Sequence, residues 1–123
     1  MKEYLLLIHG NGYPEELSSE ILQNHIDKYI AWVKKLSSTN QYIKGARLEN
    51  LGSVIIDKGE RVISDGPYLE SKEIVGGYVL IKAKNLDEAI ALSQNCPLSK
   101  DFVISVRSMY SWPVEINYNL SSE

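Results

Sequence analysis

The first apolar run of the chain, Leu5-Leu6-Leu7-Ile8, constrains the fold more than any other segment. Its residues do not alternate with polar ones, so a β-strand at this place has two apolar faces. Leu5 and Leu7 share one face, and Leu6 and Ile8 share the other. We therefore predict a strand that is covered on both sides of its sheet.

The rest of the chain predicts an α+β domain in which strands and helices follow in a fixed order. The predicted elements are a helix over 18–36 capped by Ser18 or Ser19, β-rich segments over 42–64 with a reversal at 57–60, a strand over 75–83 with a bulge at Gly76-Gly77, a helix capped by Asn85, and a strand over 102–110. This order matches a ferredoxin-like split βαβ fold with an extra β-hairpin. We predict one domain over 1–123.

One face of the predicted sheet has no helix to cover it. In a split βαβ fold both helices pack on the same face, and the first strand is apolar on both. An exposed apolar face of this kind needs a partner, and a second copy of the chain is the simplest cover. We therefore predict a homodimer in which two sheets face each other and enclose a cleft.

Composition excludes several classes of function. A net charge of -3 is unlike the basic surface of a nucleic-acid-binding module. The single cysteine, Cys96, excludes an internal disulfide and a cysteine-cluster zinc site. The apolar run at residues 4–8 is too short for a signal peptide or a membrane span. We predict a cytoplasmic protein with no nucleic-acid or membrane partner, no metal and no cofactor, since no phosphate-binding glycine motif is present.

The segment at residues 64–78, SDGPYLESKEIVGGY, is the most distinctive part of the sequence. It resembles the signature of the YCII-related family, in the branch named for its Asp-Gly-Pro-Phe motif, with Tyr68 in place of phenylalanine. The apolar start of the chain, the end of the first helix, residues 45–48 and the start of the second helix are also similar, so the resemblance extends to about Tyr110.

This resemblance implies a dimeric α+β barrel. In the wider YCII-related group, a histidine on the first helix and an aspartate near a cleft are proposed as an active pair, and one member is a lyase-type dehydrochlorinase. Some members of the branch are encoded beside, or fused to, extracytoplasmic-function sigma factors. The resemblance therefore implies either a small enzyme or a regulatory module with a sigma factor as partner.

Three residues are candidates for proton transfer. Asp65 can act as a general base or orient a histidine, and its alternative role is to cap a turn. His25 lies at the edge of the apolar stripe of the first helix, and His9 ends the first strand. Imidazole exchanges protons near neutral pH. Packing in the core is the alternative for His25, and solvent exposure is the alternative for His9.

Five further residues are candidates for substrate binding. Arg107 shares a face of the last strand with Ser105. Its guanidinium could bind a carboxylate or phosphate through two parallel hydrogen bonds, and the alternative role of Arg107 is a salt bridge to Glu3. Glu70, Lys72 and Glu73 could hold a polar substrate or could form a solvated loop. Tyr78 could line an aromatic pocket or pack in the core.

Two functions remain open at this stage. The first is a cofactor-free lyase or isomerase, or a binder, of a small polar or aromatic acid in the dimer cleft. There Asp65 with His9 or His25 would move a proton, and Arg107 would hold the anion. The second is a non-catalytic module that senses a ligand or acts with a sigma factor.

Overall fold

The computed structural model describes residues 1–14, 16–57, 61–65 and 74–110, with the backbone alone for 56–57 and 61–65. Within these residues the strands and helices follow the predicted order. The elements are β1 (Lys2–His9), α1 (Ser19–Ser38), β2 (Tyr42–Arg47), β3 (Ser53–Asp57), β4 (Arg61–Asp65), β5 (Val75–Ala83), α2 (Leu86–Gln94), a 3-10 helix (Pro97–Lys100) and β6 (Val103–Ser108).

Four of the strands form one antiparallel sheet in the order β2-β5-β1-β6. This order confirms the predicted ferredoxin-like α+β fold, because each helical crossover skips one strand position. Strands β3 and β4 pair separately as an antiparallel hairpin inserted between β2 and β5, with Asp57 opposite Arg61. The hairpin is the predicted addition to the split βαβ core.

Both helices begin at the caps that the sequence predicts. The Ser18 hydroxyl accepts a hydrogen bond from the Ile21 N–H at the start of α1, and the Asn85 side chain accepts one from the Glu88 N–H at the start of α2. The Glu88 carboxylate in turn accepts the Lys84 N–H, which lies one residue before the cap. No helix in the described ranges is long and apolar enough to cross a membrane.

The core lies between the two helices and one face of the sheet. Tyr4 and Leu6 of β1 are buried there against Val79 and Ile81 of β5. Trp32 of α1 is buried in this core at 6% exposure. Its indole N–H donates to the Leu92 carbonyl and so joins α1 to α2.

The opposite face of the sheet carries a second set of apolar side chains. In the β1–β5 register Leu5 is opposite Leu80 and Leu7 is opposite Tyr78, so these four residues share that face. Arg107 lies next to Leu5 on β6. Because α1 and α2 pack on the Tyr4 side, this face has no helical cover within the described residues.

A β-bulge interrupts the pairing of β1 with β5. Ile8 is opposite Gly77 but His9 is opposite Val75, so Gly76 is the extra residue of β5, which confirms the predicted bulge. Gly76 packs directly on the next loop, since a Cβ at this position would overlap the carbonyl oxygen of Gly10. The Gly10 N–H also donates to the Ile74 carbonyl at 2.8 Å. The bulge therefore fixes the loop between β1 and α1.

We expect Gly76→Ala to lower the free energy of unfolding by about 1–3 kcal/mol, because the added methyl group must push the Gly10 backbone away. The matched control is Gly52→Ala, where no atom lies within 4 Å of the added Cβ and φ is not positive. Urea unfolding followed by circular dichroism measures both. Equal stabilities of the two variants would contradict the close approach.

Candidate functional site

A cavity of about 410 Å³ lies between the N-terminal half of α1 and the sheet. It is on the same side of the sheet as the core, and the loop between β1 and α1 closes one end. The side chains that contribute most of its wall are apolar or aromatic, and they include Ile8, Leu22, Ile26, Leu98 and Phe102. A cavity of this size and lining is typical of small-molecule sites, which span roughly 300–1,000 Å³.

Helix α1 provides one wall through residues spaced at helical steps. Leu22, His25, Ile26 and Tyr29 all line the cavity and recur three or four residues apart. His25, which the sequence places at the edge of the apolar stripe, is therefore brought to the cavity. It is the one imidazole among the cavity residues.

Stacking holds the His25 ring in place. The ring of Tyr13 stacks on it with centroids 4.3 Å apart and an interplanar angle of 15°. Tyr13 also contacts Phe102 edge-on, and its hydroxyl donates to the Asp101 carboxylate at 2.7 Å. Burial and the Asp101 carboxylate raise the pKa of Tyr13 to about 12, so the phenol keeps its proton and the hydrogen bond.

Two tyrosine hydroxyls lie at the floor of the cavity above Gly45. A Cβ on Gly45 would lie 3.2 Å from the Tyr42 hydroxyl oxygen and 3.5 Å from that of Tyr29. Burial, followed by the neighbouring Tyr42, raises the pKa of Tyr29 to about 12. The Tyr29 phenol is therefore neutral at physiological pH and can donate a hydrogen bond.

Arg47 places a positive charge at the mouth of the cavity. Tyr42 is opposite Ile81 and Lys44 is opposite Leu80, so Ile43 is an extra residue in β2. This bulge reverses the alternation of side chains and puts Arg47 on the cavity side of the sheet. Its guanidinium lies 3.1 Å from the place that a Cβ on Gly12 would take. No acidic side chain among the described residues pairs with it.

His9 and Arg107 lie on the other face of the sheet. His9 Nε2 and the Ser105 hydroxyl oxygen are 2.6 Å apart, at hydrogen-bonding distance. His9 Nδ1 is buried and has no partner in the part of the chain that the structure describes. Arg107 is an exposed residue of β6 on this same face. The structure therefore separates these two residues from His25 by the thickness of the sheet.

The remaining predicted site residues divide into two groups. Tyr78 lines the cavity. The β1–β5 register places its side chain with Leu7 on the opposite face, so Tyr78 lines the cavity with its backbone. Asp65 is the last residue of β4, and its side chain lies outside the described residues. Glu70, Lys72 and Glu73 also lie outside them. The pairing of Asp65 with a histidine stays a prediction.

Sequence reasoning missed Arg47, Tyr13 and Tyr42 as site residues. Arg47 belongs to residues 45–48, which carry part of the family resemblance, and this resemblance is the feature of the sequence that could have indicated Arg47. Within the described ranges no three His, Cys, Asp or Glu residues cluster as metal ligands. Burial raises the pKa of the Cys96 thiol, which disfavours a nucleophilic thiolate.

The structure is that of a ferredoxin-like α+β protein with a partly enclosed, mostly apolar cavity between α1 and the sheet. The family model described as the YCII-related domain matches residues 3–113. The chain belongs to the YCII-related family, as its residue 64–78 signature indicates. None of the curated proteins matches the sequence.

A comparison of the structure with solved structures also supports the fold. One similar solved structure is the 5-chloro-2-hydroxyhydroquinone dehydrochlorinase (TftG) from Burkholderia phenoliruptrix AC1100, in complex with 2,5-dihydroxybenzoquinone. The likeness covers 89% of this chain and 95% of that chain, with 17% sequence identity and a TM-score of 0.52. At this identity the comparison shows a shared fold.

The raised pKa of Tyr29 predicts a loss of stability at alkaline pH. In the unfolded chain a phenol ionises near pH 10, whereas in the folded chain Tyr29 ionises near 12. The contribution of the un-ionised Tyr29 phenol to the free energy of unfolding is therefore complete below pH 10 and is lost as pH rises from 10 to 12. We expect the free energy of unfolding in urea to fall less steeply over this range in Tyr29→Phe than in the wild type.

Tyr13→Phe is a second test of the same linkage, because the pKa of Tyr13 is also raised to about 12. Each variant should reduce the alkaline slope by itself, and the double variant should reduce it further. A slope that is unchanged in Tyr29→Phe would show that its phenol is not desolvated in the folded protein.

Proposed function

We propose that this protein binds a small aromatic acid in the cavity beneath α1 and that His25 transfers a proton to or from the bound molecule. The observation that carries the proposal is a largely apolar cavity whose mouth holds the guanidinium of Arg47, with no acidic partner among the described residues. An aromatic ring suits the wall, and a carboxylate suits the guanidinium.

In this proposal Arg47 binds the carboxylate, whereas the sequence pattern indicated Arg107 for that role. Arg47 lines the cavity, whereas Arg107 lies on the opposite face of the sheet. A guanidinium binds a carboxylate through two parallel hydrogen bonds, and the interaction strengthens where the surroundings are apolar. The ligand site is thus inside one copy of the chain, and it does not require a cleft between two copies.

His25 is the proton-transfer group because it is the imidazole of this cavity and its ring is held by Tyr13. Elimination and isomerisation of an aromatic acid require proton transfer and stabilisation of the resulting charge, so the proposal includes no cofactor. The dehydrochlorinase with the same fold, whose complex contains a dihydroxybenzoquinone, supports a lyase-type reaction on a small ring. A ligand sensor without turnover could use the same cavity, and that alternative stays a prediction.

Benzoate is the simplest probe of the anchor. We expect Arg47→Gln to weaken benzoate binding by about tenfold or more, because a hydrogen bond to a charged group contributes about 1.5–3 kcal/mol. The matched control is Arg107→Gln, which removes the same charge from the opposite face and should leave the affinity unchanged. Isothermal titration calorimetry measures both variants against the wild type.

The other possible results of the calorimetry would contradict the proposed role of Arg47 or the proposed class of ligand. Weakening by Arg107→Gln alone would place the ligand on the open sheet face. Equal affinity in all three proteins would show that neither arginine anchors the anion. No binding of benzoate to the wild type would contradict the proposed class of ligand.

We also propose that two copies associate through the sheet face that α1 and α2 leave uncovered. Leu5, Leu7, Leu80 and the Tyr78 ring lie side by side on this face, which supports an apolar contact between copies. Charged residues surround them, with Glu3 opposite Lys82 in the register. This arrangement of an apolar centre and a charged edge is typical of a symmetric protein interface.

Sedimentation velocity at micromolar concentration tests this association. We expect a dimer for the wild type and a monomer for Leu7→Glu, because the carboxylate would be buried between two apolar faces. Ile21→Glu is the matched control, since Ile21 is 49% exposed on α1, away from this face. A monomeric wild type, or a Leu7→Glu variant that remains dimeric, would refute the interface.

A further inference from the structure

Two phenol hydroxyls from different elements converge at the floor of the cavity. Tyr29 belongs to α1 and Tyr42 belongs to β2, yet both hydroxyl oxygens come within 3.5 Å of the same position above Gly45. Both residues line the cavity. The two hydroxyls are therefore close to each other on the wall of the cavity.

Neither hydroxyl is used to hold the fold together. Among the described residues, no hydrogen bond joins the Tyr29 or the Tyr42 hydroxyl to another protein group. Polar groups in an apolar site lose free energy when they have no partner, so each of these hydroxyls is a donor available to a guest molecule. Tyr29 keeps its proton at physiological pH, since its pKa is raised to about 12.

The absence of a side chain at Gly45 leaves space beside the two hydroxyls. A Cβ there would lie 2.9 Å from the Tyr78 carbonyl oxygen and would fill the space below the two hydroxyls. The closeness of the two strands and the size of the cavity thus both depend on a residue without a side chain.

We propose that the hydroxyls of Tyr29 and Tyr42 form a subsite for a ring oxygen of the ligand, which is a phenol, a phenolate or a ring carbonyl. This inference rests on the proposed function, in which Arg47 binds the carboxylate. It narrows the ligand from an aromatic acid to an aromatic acid with an oxygen on its ring.

The two kinds of polar group border the same cavity. Gly45 and Arg47 lie two residues apart on the same side of β2, and Arg47 lines the cavity together with Tyr29 and Tyr42. Two neutral donors beside a ring oxygen also stabilise the negative charge that develops on it during proton transfer.

A matched pair of ligands tests the subsite. Benzoate and 4-hydroxybenzoate differ only in the ring oxygen, and titration calorimetry gives the affinity of each for the wild type and for the Tyr29→Phe/Tyr42→Phe double variant. We expect the wild type to bind 4-hydroxybenzoate roughly three- to tenfold more tightly than benzoate, which is the effect of about one net hydrogen bond. The double variant should bind the two acids with equal affinity.

Further variants separate this effect from general damage to the fold. Tyr4→Phe removes a phenol from the core at a position outside the cavity, and it should keep the preference for the hydroxylated acid. The single variants Tyr29→Phe and Tyr42→Phe should each keep part of the preference. Benzoate affinity in the double variant should stay within twofold of the wild type, and this also shows that the cavity is intact.

The outcomes distinguish the subsite from the proposed function. If the wild type binds benzoate through Arg47 but does not prefer 4-hydroxybenzoate, the subsite is wrong and the anion site stands. The same conclusion follows if the double variant keeps the full preference. If the wild type binds neither acid, both proposals are overturned.

Discussion

The two apolar faces of β1 are the constraint on which the rest of the structure depends. One face carries Tyr4 and Leu6, which are buried by α1 and α2. Because β1 lies between β5 and β6, it presents Leu5 and Leu7 at the middle of the other face as well. The strand therefore requires helices on one side and supports association on the other, and the ligand cavity is formed on the side with the helices.

The cavity exists because small residues lie where side chains would otherwise fill the space beneath α1. Gly45 of the edge strand β2 and Gly77 of β5 face the helix, and Gly10 and Gly76 allow the loop and strand β5 to touch. Leu22, which projects from α1, lies across this gap and lines it together with aromatic rings. The polar groups that line the cavity include the guanidinium of Arg47 and the hydroxyls of Tyr29 and Tyr42, and the rest of its lining is mostly apolar.

The sequence predicts the fold well because the fold follows from local patterns. The caps at Ser18 and Asn85 and the bulge at Gly76 all depend on residue types with strong backbone preferences. The site is harder to predict, since the bulge at Ile43 has no glycine or proline to mark it. Without that bulge, simple alternation from Tyr42 would place residue 47 on the opposite face of the sheet. His25 is easier to place, because helical spacing puts it beside the apolar residues of α1.

The extra residue in β2 has a consequence for how such a site can change over generations. Because Ile43 is taken up in a bulge, Arg47 stays on the cavity side, whereas one further residue inserted between Gly45 and Arg47 would shift the alternation and move the guanidinium to the other side of the sheet. Every amino acid type of the cavity would still be encoded, yet the chemistry would be gone. In this stretch of the chain, insertions and deletions are therefore a stronger source of functional divergence than replacements of one amino acid by another.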